Sequence, residues 1–198
     1  MMSWRFRPDF LVLACGACMI PPDWLPKGIR ESGMVPDLRT GIAQVVGLKA
    51  RQPGTAVIFN MDHTEATYAA AEFLAGIFDE VVILTPRDTI GTYLHLMARQ
   101  GLLRRMAQQH VRIVGLSVPV WSEAFGDGTL EYENVYTNER GGILNVAFLA
   151  YSTPRAPKDG LSAGLRAAGV VVRAIGDCLT PGELLAATAS GHDAGNSI

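Results

Sequence analysis

The stretch TAVIFNMDHTEATYAAAEFLAGIFDEVVILT, residues 55–85, contains a strand pattern, a helix pattern and a second strand pattern in succession. Residues 55–60 and 80–85 are rich in the β-branched and aromatic side chains that favour strands, whereas the alanine-rich segment 64–78 favours a helix. Thr64 is placed to act as the N-cap of that helix. A run of about 30 residues has the size of a βαβ unit, whose two strands lie parallel in one sheet. The sequence therefore predicts an α/β fold built on a parallel sheet.

The patterns continue to alternate downstream of this unit. They predict a helix over 93–110, a strand over 111–116, a hairpin or meander over 118–137, a turn over 138–142, a strand over 143–150, a break at 154–157, a helix over 161–168, a strand over 170–175, a turn at Gly176-Asp177 and a helix over 181–191. Pro181 suits the first turn of the last helix, where its missing N–H costs nothing. The prediction is an α/β protein with a β-meander insertion.

Upstream, Asp9–Ala14 is an apolar run that predicts a buried strand, and Cys15-Gly16-Ala17 predicts a tight turn after it. The segment 19–53 is rich in proline and glycine. We expect a wandering connection there, with one short helix over 38–47.

Composition excludes several functional classes. The 198 residues are 48% hydrophobic and 18% charged with a net charge of −2, so no basic surface for nucleic acid is predicted. The apolar runs Phe10–Ala14 and Val170–Val172 are far shorter than the roughly 20 residues of a membrane span. Three cysteines argue against a disulfide scaffold, and Asp9 follows the basic start without a secretory cleavage pattern. We expect a cytoplasmic protein, and its excess of apolar residues is typical of a subunit buried in a complex.

Three short segments carry a resemblance to a known family. They are Leu13-Ala14-Cys15-Gly16-Ala17, then Thr92–His95 with Leu103–Met106 and His110-Val111, and finally Ile175-Gly176-Asp177 followed by Pro181 and Gly191-His192. Their order resembles the C-terminal FAD/NAD-like dinucleotide-binding region of the trimethylamine dehydrogenase and dienoyl-CoA reductase (old yellow enzyme-like) flavoproteins. In that family an FMN barrel with an iron–sulfur cluster precedes an FAD-like domain that an NAD-like domain interrupts.

The resemblance implies a domain division and a cofactor site. Residues 1–50 and 151–198 would form a partial FAD-like domain, and residues 51–150 an NAD(P)-like domain. The implied cofactor-binding residues are Gly16, Ala17, Gly176, Asp177, Cys178 and Thr180. The resemblance assigns no catalytic residue to this chain.

The chain departs from the family pattern at both nucleotide-binding turns. The glycine-rich Gly-x-Gly-x-x-Gly segment that lets a backbone approach a pyrophosphate is missing from the whole sequence, so either another polypeptide supplies it or the site has been lost. In the second turn Asn60, Asp62 and Glu65 stand where glycines are needed, and two of them add repulsive negative charge. Thr85 replaces the acidic residue that would hold an NAD ribose, and Arg87 could instead face a 2′-phosphate. We interpret this second site as vestigial.

The resemblance thus implies one subunit of a heteromeric flavin-dependent oxidoreductase, of the amine dehydrogenase or N-demethylase kind. FAD or ADP would be shared with a partner chain, and FMN and a [4Fe–4S] cluster would lie in the partner. A non-catalytic assembly subunit and a subunit of an NAD(P)H-dependent enoate reductase are the alternatives. Cys15 and Cys18 form a Cys-x-x-Cys, but Cys15 ends a strand and Cys178 stands alone, so we expect neither a redox pair nor a metal site.

Overall fold

The computed structural model describes Pro8 and residues 10–197. The chain forms two compact units, which are named by their place in the sequence. The outer unit contains the described residues up to 20 and from 155 onward, and the central unit contains residues 21–154. In chain order the elements are β1 (Phe10–Leu13), β2 (Ala17–Met19), α1 (Lys27–Ser32), α2 (Leu38–Val45), β3 (Gln52–Asn60), α3 (Glu65–Ala75), β4 (Phe78–Leu84), α4 (Leu96–Gln108), β5 (Arg112–Val114), β6 (Ser117–Val120), β7 (Leu130–Asn134), β8 (Arg140–Ile143), β9 (Val146–Ser152), β10 (Arg155–Pro157), α5 (Leu161–Ala167), β11 (Val171–Ala174) and α6 (Leu184–Gly195). Asp9, the first residue of the predicted strand 9–14, lies outside the described residues.

The central unit is built on a four-stranded parallel sheet in the order β5-β4-β3-β9. Ala56–Phe59 of β3 and Val82–Leu84 of β4 are at most 1% exposed, as expected for parallel strands covered on both faces. β6, β7 and β8 form an antiparallel meander before β9. The predicted α/β class, with a parallel sheet and a meander, is therefore confirmed.

The chain reverses direction across this sheet between β3 and β9. β4 and β5 follow β3 on one side, and β9 then pairs with β3 on the other. The carboxyl ends of β3 and β9 therefore meet at a topological switch point, where open α/β sheets bind ligands.

The outer unit contains two small sheets. β1 and β11 pair in parallel, with Phe10 opposite Val171 and Leu13 opposite Ala174. β2 and β10 pair antiparallel, with Arg155 opposite Met19.

The predicted first domain boundary was wrong. Residues 21–50 belong to the central unit and not to the outer segments. The Asp37 backbone bridges to Tyr151 of β9, whose N–H donates to the Pro36 carbonyl at 3.2 Å. Gly41 of α2 faces Phe148 closely enough that an added Cβ would stand 2.9 Å from the ring. These contacts fix the 21–50 segment on the central sheet.

Several element boundaries also differ from the prediction. The expected strand 143–150 is interrupted at Asn145, whose φ of 54° turns the chain from β8 into β9. The expected break at 154–157 is β10, because Arg155 pairs with the distant Met19. α4 begins at Leu96 and not at 93, and Pro181 precedes α6 without entering its first turn. Helix α1 was not predicted.

Among the described residues, every helix is too short or too polar to span a bilayer.

Candidate functional site

Two glycines with positive φ lie at the carboxyl ends of the parallel strands of the outer unit. Gly16 follows β1 with a φ of 74°, and Gly176 follows β11 with a φ of 56°. Side chains rarely adopt this region, so these positions favour glycine. Apart from its two chain neighbours, no described residue has an atom within 4 Å of where a Cβ on Gly16 would stand, which leaves room for a ligand beside this backbone. The structure thus places the two predicted glycine positions on one edge of the β1–β11 sheet.

Asp177 is held by two groups of its own unit. Its Oδ2 forms an ion pair with the Arg155 guanidinium, and its Oδ1 accepts a hydrogen bond from the Gly182 N–H at 3.0 Å. Arg155 also donates through Nη2 to the Gly182 carbonyl at 3.0 Å. The Arg155, Asp177 and Gly182 contacts therefore fix the loop between β11 and α6.

The other predicted site residues surround this loop. Cys178 is 2% exposed, and its thiol donates to the Lys158 carbonyl at 3.3 Å. Thr180 is exposed, and its N–H donates to the Gly176 carbonyl at 3.0 Å. Ala17 begins β2 and is buried. Lys158 links Cys178 to Gly16, because its carbonyl accepts from the Cys178 thiol and its own N–H donates to the Gly16 carbonyl at 2.9 Å.

Sequence reasoning missed two side chains that shape this site. Arg155 lies in a proline-flanked segment that was interpreted as a break, and nothing local indicates its ion pair with Asp177. Ser190 accepts a hydrogen bond through Oγ from the Gly176 N–H at 2.8 Å. A serine in the second turn of α6 carries no sequence signal for that contact, since the two residues are brought together by the fold.

In the central unit, the loop after β3 contains the carboxylate of Asp62, which is hydrogen-bonded to groups of the same loop and of α3. Asp62 Oδ1 accepts hydrogen bonds from the Thr64 N–H at 3.1 Å and from Thr67 Oγ1 at 2.8 Å, and Oδ2 accepts one from Thr64 Oγ1 at 3.1 Å. Thr64 is the N-cap residue of α3, as predicted, but its side chain makes no cap hydrogen bond. The Asp62 carboxylate occupies the start of α3, where a pyrophosphate would bind in a dinucleotide site.

The same loop is bonded to β9 across the switch point. The N–H groups of Met61 and Asp62 both donate to the Ser152 carbonyl, at 2.7 and 3.2 Å. Ser152 Oγ lies 2.6 Å from Thr67 Oγ1. Because the Thr67 proton is directed to Asp62, Ser152 is the donor of this bond. These contacts lie at the switch point, the place where open α/β sheets bind ligands.

His63 is fully buried in this loop with a φ of 53°. Tyr68 Oη accepts from the Gly91 N–H at 2.6 Å and from Asn60 Nδ2 at 3.4 Å, so its own proton is available for His63 Nδ1 at 3.3 Å. Burial, reinforced by the charge of Arg87, lowers the pKa of His63, and burial raises the pKa of Tyr68. The neutral imidazole then carries its proton on Nε2, which has no hydrogen-bond partner among the described residues.

Thr85 and Arg87, the residues at the predicted ribose position, are engaged within the chain. Thr85 is fully buried, and its Oγ1 accepts from the Arg87 N–H at 3.3 Å. The Arg87 guanidinium lies 5.7 Å from the centre of the Tyr93 ring. Glu65 is exposed at the first turn of α3.

Cys15 and Cys18 are exposed free thiols, and Cys178 is a buried one. In the part of the chain that the structure describes, no group of three or more histidine, cysteine or acidic side chains is placed to bind a metal ion.

No protein-family model matches the sequence, and no curated protein matches it. Solved structures do match. Histamine dehydrogenase from Rhizobium sp. 4-9 is similar over 96% of this chain and 30% of its own, with 20% identity and a TM-score of 0.75. A 2-naphthoyl-CoA reductase is similar over 96% of this chain and 27% of its own, with 20% identity and a TM-score of 0.76.

Thioredoxin reductase from Lactococcus lactis is similar over 94% of this chain and 63% of its own, with 18% identity and a TM-score of 0.67. This chain therefore spans only 30% and 27% of the lengths of histamine dehydrogenase and 2-naphthoyl-CoA reductase. It has the fold of the region that it matches in them.

Proposed function

We propose that this chain is a subunit of a heteromeric flavin-dependent oxidoreductase of the amine dehydrogenase or N-demethylase kind, located in the cytoplasm. Its role is to form part of the binding region for FAD or ADP. The observation that carries the proposal is the pair of positive-φ glycines, Gly16 and Gly176, at the carboxyl edge of adjacent parallel strands. The fold that the chain shares with histamine dehydrogenase supports the amine class.

The residues at this edge fit a nucleotide. Gly16 and Ala17 would let a phosphate approach the backbone, because among the described residues other than the chain neighbours of Gly16 no atom lies within 4 Å of the place of its Cβ. Each oxygen of the Asp177 carboxylate has two lone pairs. The carboxylate can therefore accept a further hydrogen bond, from a ribityl or ribose hydroxyl, in addition to those from Arg155 and Gly182. Cys178 and Thr180 line the same loop.

The chemistry belongs to the partner chains in this proposal. FMN and a [4Fe–4S] cluster in the partner would supply substrate oxidation and electron transfer. A further chain completes the FAD-like domain with its glycine-rich turn. The residues of this chain bind and orient the nucleotide and take no part in bond breaking.

A non-catalytic assembly subunit is the second candidate, and a specific observation favours it. Asp62 lies at the start of α3, where Thr67 donates to it, and Asp177 already pairs with Arg155, so each nucleotide position contains a carboxylate that is bonded within the chain. A subunit of an NAD(P)H-dependent enoate reductase is a third candidate, supported by the fold shared with 2-naphthoyl-CoA reductase. The Asp62 carboxylate argues against it, since it repels a pyrophosphate.

The test is the visible spectrum and nucleotide content of the complex that forms around this chain. Flavin absorption together with FAD or ADP released on denaturation supports the proposal, and a colourless, nucleotide-free complex contradicts it. Asp177→Asn should lower the bound nucleotide severalfold without loss of the complex. Glu183→Gln, which alters an exposed carboxylate on the same loop, is the matched control and should retain the nucleotide. Equal nucleotide content in both variants would exclude Asp177 from the site.

A further inference from the structure

A cavity of about 420 Å³ lies between helices α3 and α4 of the central unit. Two of the side chains that line it, Tyr68 and Leu102, are only 1% exposed, and Leu94 is half-buried. Ala69 of α3 and Ala98 of α4 also line it, and such small side chains leave the space between the helices unfilled. Proteins bind small molecules in cavities of about 300–1,000 Å³, so this one is large enough for a small ligand.

Hydrogen bonds hold the elements around this cavity in place. Tyr68 Oη accepts from the Gly91 N–H at 2.6 Å, which joins α3 to the loop before α4. Arg99 of α4 donates through Nε to the Ile90 carbonyl at 3.2 Å and through Nη2 to Thr89 Oγ1 at 2.7 Å, which joins α4 to the same loop. The cavity is therefore formed before a ligand arrives, as is usual for small-molecule sites.

The charged side chains that line the cavity leave one carboxylate uncompensated. They are Glu65, Glu72 and Arg105. Arg105 Nε donates to Glu72 Oε1 at 2.8 Å, so these two opposite charges balance each other. The Glu65 side chain is exposed and has no hydrogen bond or ion pair with any residue that the structure describes. The cavity thus combines apolar side chains with one net negative charge.

We propose that the cavity between α3 and α4 binds a small organic cation with an apolar body. The apolar body contacts Leu94 and Leu102, where its removal from water stabilises the complex, and the ammonium group pairs with Glu65. The carboxylate attracts a cation and repels an anion. The volume fits a small molecule better than a partner helix, which is about 10–12 Å wide with its side chains. This inference goes beyond the proposed function, because no nucleotide or partner chain takes part in it.

The experiment is a titration of the isotopically labelled chain with benzylammonium, followed by nuclear magnetic resonance. Benzyl alcohol and benzoate, which are similar in size but neutral and anionic, are the comparison probes. We expect saturable shifts of the Leu94 and Leu102 methyl signals at millimolar benzylammonium, binding of benzyl alcohol that is about fivefold weaker, and still weaker binding of benzoate. Equal binding of the three probes, or the absence of saturable shifts at these methyl groups, would overturn the proposal.

Two pairs of variants locate the site. Ala69→Leu places a larger side chain in the cavity and should abolish benzylammonium binding, whereas Ala66→Leu, at an exposed alanine of α3 outside the lining, should leave the affinity within about twofold. Glu65→Gln should weaken binding about fivefold, and Glu123→Gln, at an exposed carboxylate elsewhere in the central unit, should leave it unchanged. Equal affinities within either pair would contradict the assignment. If Ala69→Leu fails to fold by circular dichroism, the glutamate pair decides.

A second copy of the chain is the other occupant that the measurements can reveal. Without any probe, the Leu94 and Leu102 methyl signals should not change with the concentration of the chain. If they do change, and light scattering shows dimers over the same range, a side chain of the second copy occupies the cavity and the proposal is refuted.

Discussion

His63 of the central unit has a strained backbone and is fully buried, and its ring N–H at Nε2 has no hydrogen-bond partner among the described residues. A positive φ on a non-glycine residue costs on the order of 1 kcal/mol or more, and Nε2 lacks a partner among the described residues. Burial disfavours the charged imidazolium, and protonation would also add a second cation near Arg87, so the pKa of His63 is lowered in the folded state. This residue should therefore make stability depend on pH.

The sign of that dependence follows from proton binding. Between the ordinary histidine pKa of about 6.5 and the lower folded value, the unfolded chain binds more protons at His63, so the free energy of unfolding falls as pH falls below about 6.5. The slope from this residue is at most about 1.4 kcal/mol per pH unit. His63→Asn, which tolerates positive φ, should remove it in urea titrations between about pH 5 and 8. The exposed His192, changed to Asn, is the control; identical pH profiles for His63→Asn and the wild type would contradict the prediction.

Gly54 should tolerate no side chain. Its φ is 98°, and an added Cβ would stand 2.6 Å from the Asn145 carbonyl oxygen. Gly54→Ala must shift this backbone contact, so we expect a loss of about 2 kcal/mol or more in the free energy of unfolding. Gly47→Ala is the matched control, since no atom of the described residues beyond its chain neighbours lies within 4 Å of its Cβ position, and should change stability by less than about 0.5 kcal/mol. A similar midpoint in urea for both variants would disprove the backbone clash.

At the scale of elements, α2 depends on a side-chain cap. Asp37 accepts bonds from the N–H groups of Arg39 and Thr40 at 3.0 and 3.2 Å, and from Thr40 Oγ1 at 2.7 Å. Asp37→Ala should cost about 1 kcal/mol of unfolding free energy, measured by urea denaturation. Glu31→Ala breaks only the exposed ion pair of α1 with Lys27 and should have a much smaller effect. Equal losses of unfolding free energy in the two variants would show that the Asp37 cap stabilises the protein no more than the exposed ion pair of α1 does.

The elements that the sequence predicted are those with strong local patterns. β3, α3 and β4 follow from the apolar runs and the alanine-rich segment of 55–85, and α2 follows from one short pattern. β10 was missed because its pairing with β2 depends on residues 138 positions away in the chain, as between Cys18 and Ala156. The role of Arg155 in the candidate site was missed because its ion-pair partner Asp177 lies 22 positions away in the chain. The glycines Gly16 and Gly176 were predictable, because glycine at a strand end is itself a local signal.

At the scale of the whole molecule, the two units differ in how much core they contain. The central unit encloses Ala56–Phe59 and Val82–Leu84 at no more than 1% exposure. The described apolar residues that are buried in the outer unit are few and mostly small: Leu13, Ala17, Met19, Cys178 and Ala194. Burial of apolar area is the main source of stability. The outer unit of the isolated chain should therefore unfold before the central unit.

Amide exchange at increasing urea should resolve this order. Amides of β1 and β11 should exchange at lower urea concentrations than those of β3 and β4, because local unfolding follows local burial. Leu13→Ala in the outer unit and Leu84→Ala in the central unit are matched truncations of buried leucines, each expected to cost about 2–5 kcal/mol. Leu13→Ala should lower the urea concentration at which the amides of the outer unit exchange, and of that unit alone. Leu84→Ala should lower it for the amides of the central sheet. If both variants shift every strand by the same amount, the chain unfolds as one cooperative body and the division of stability between the units is refuted.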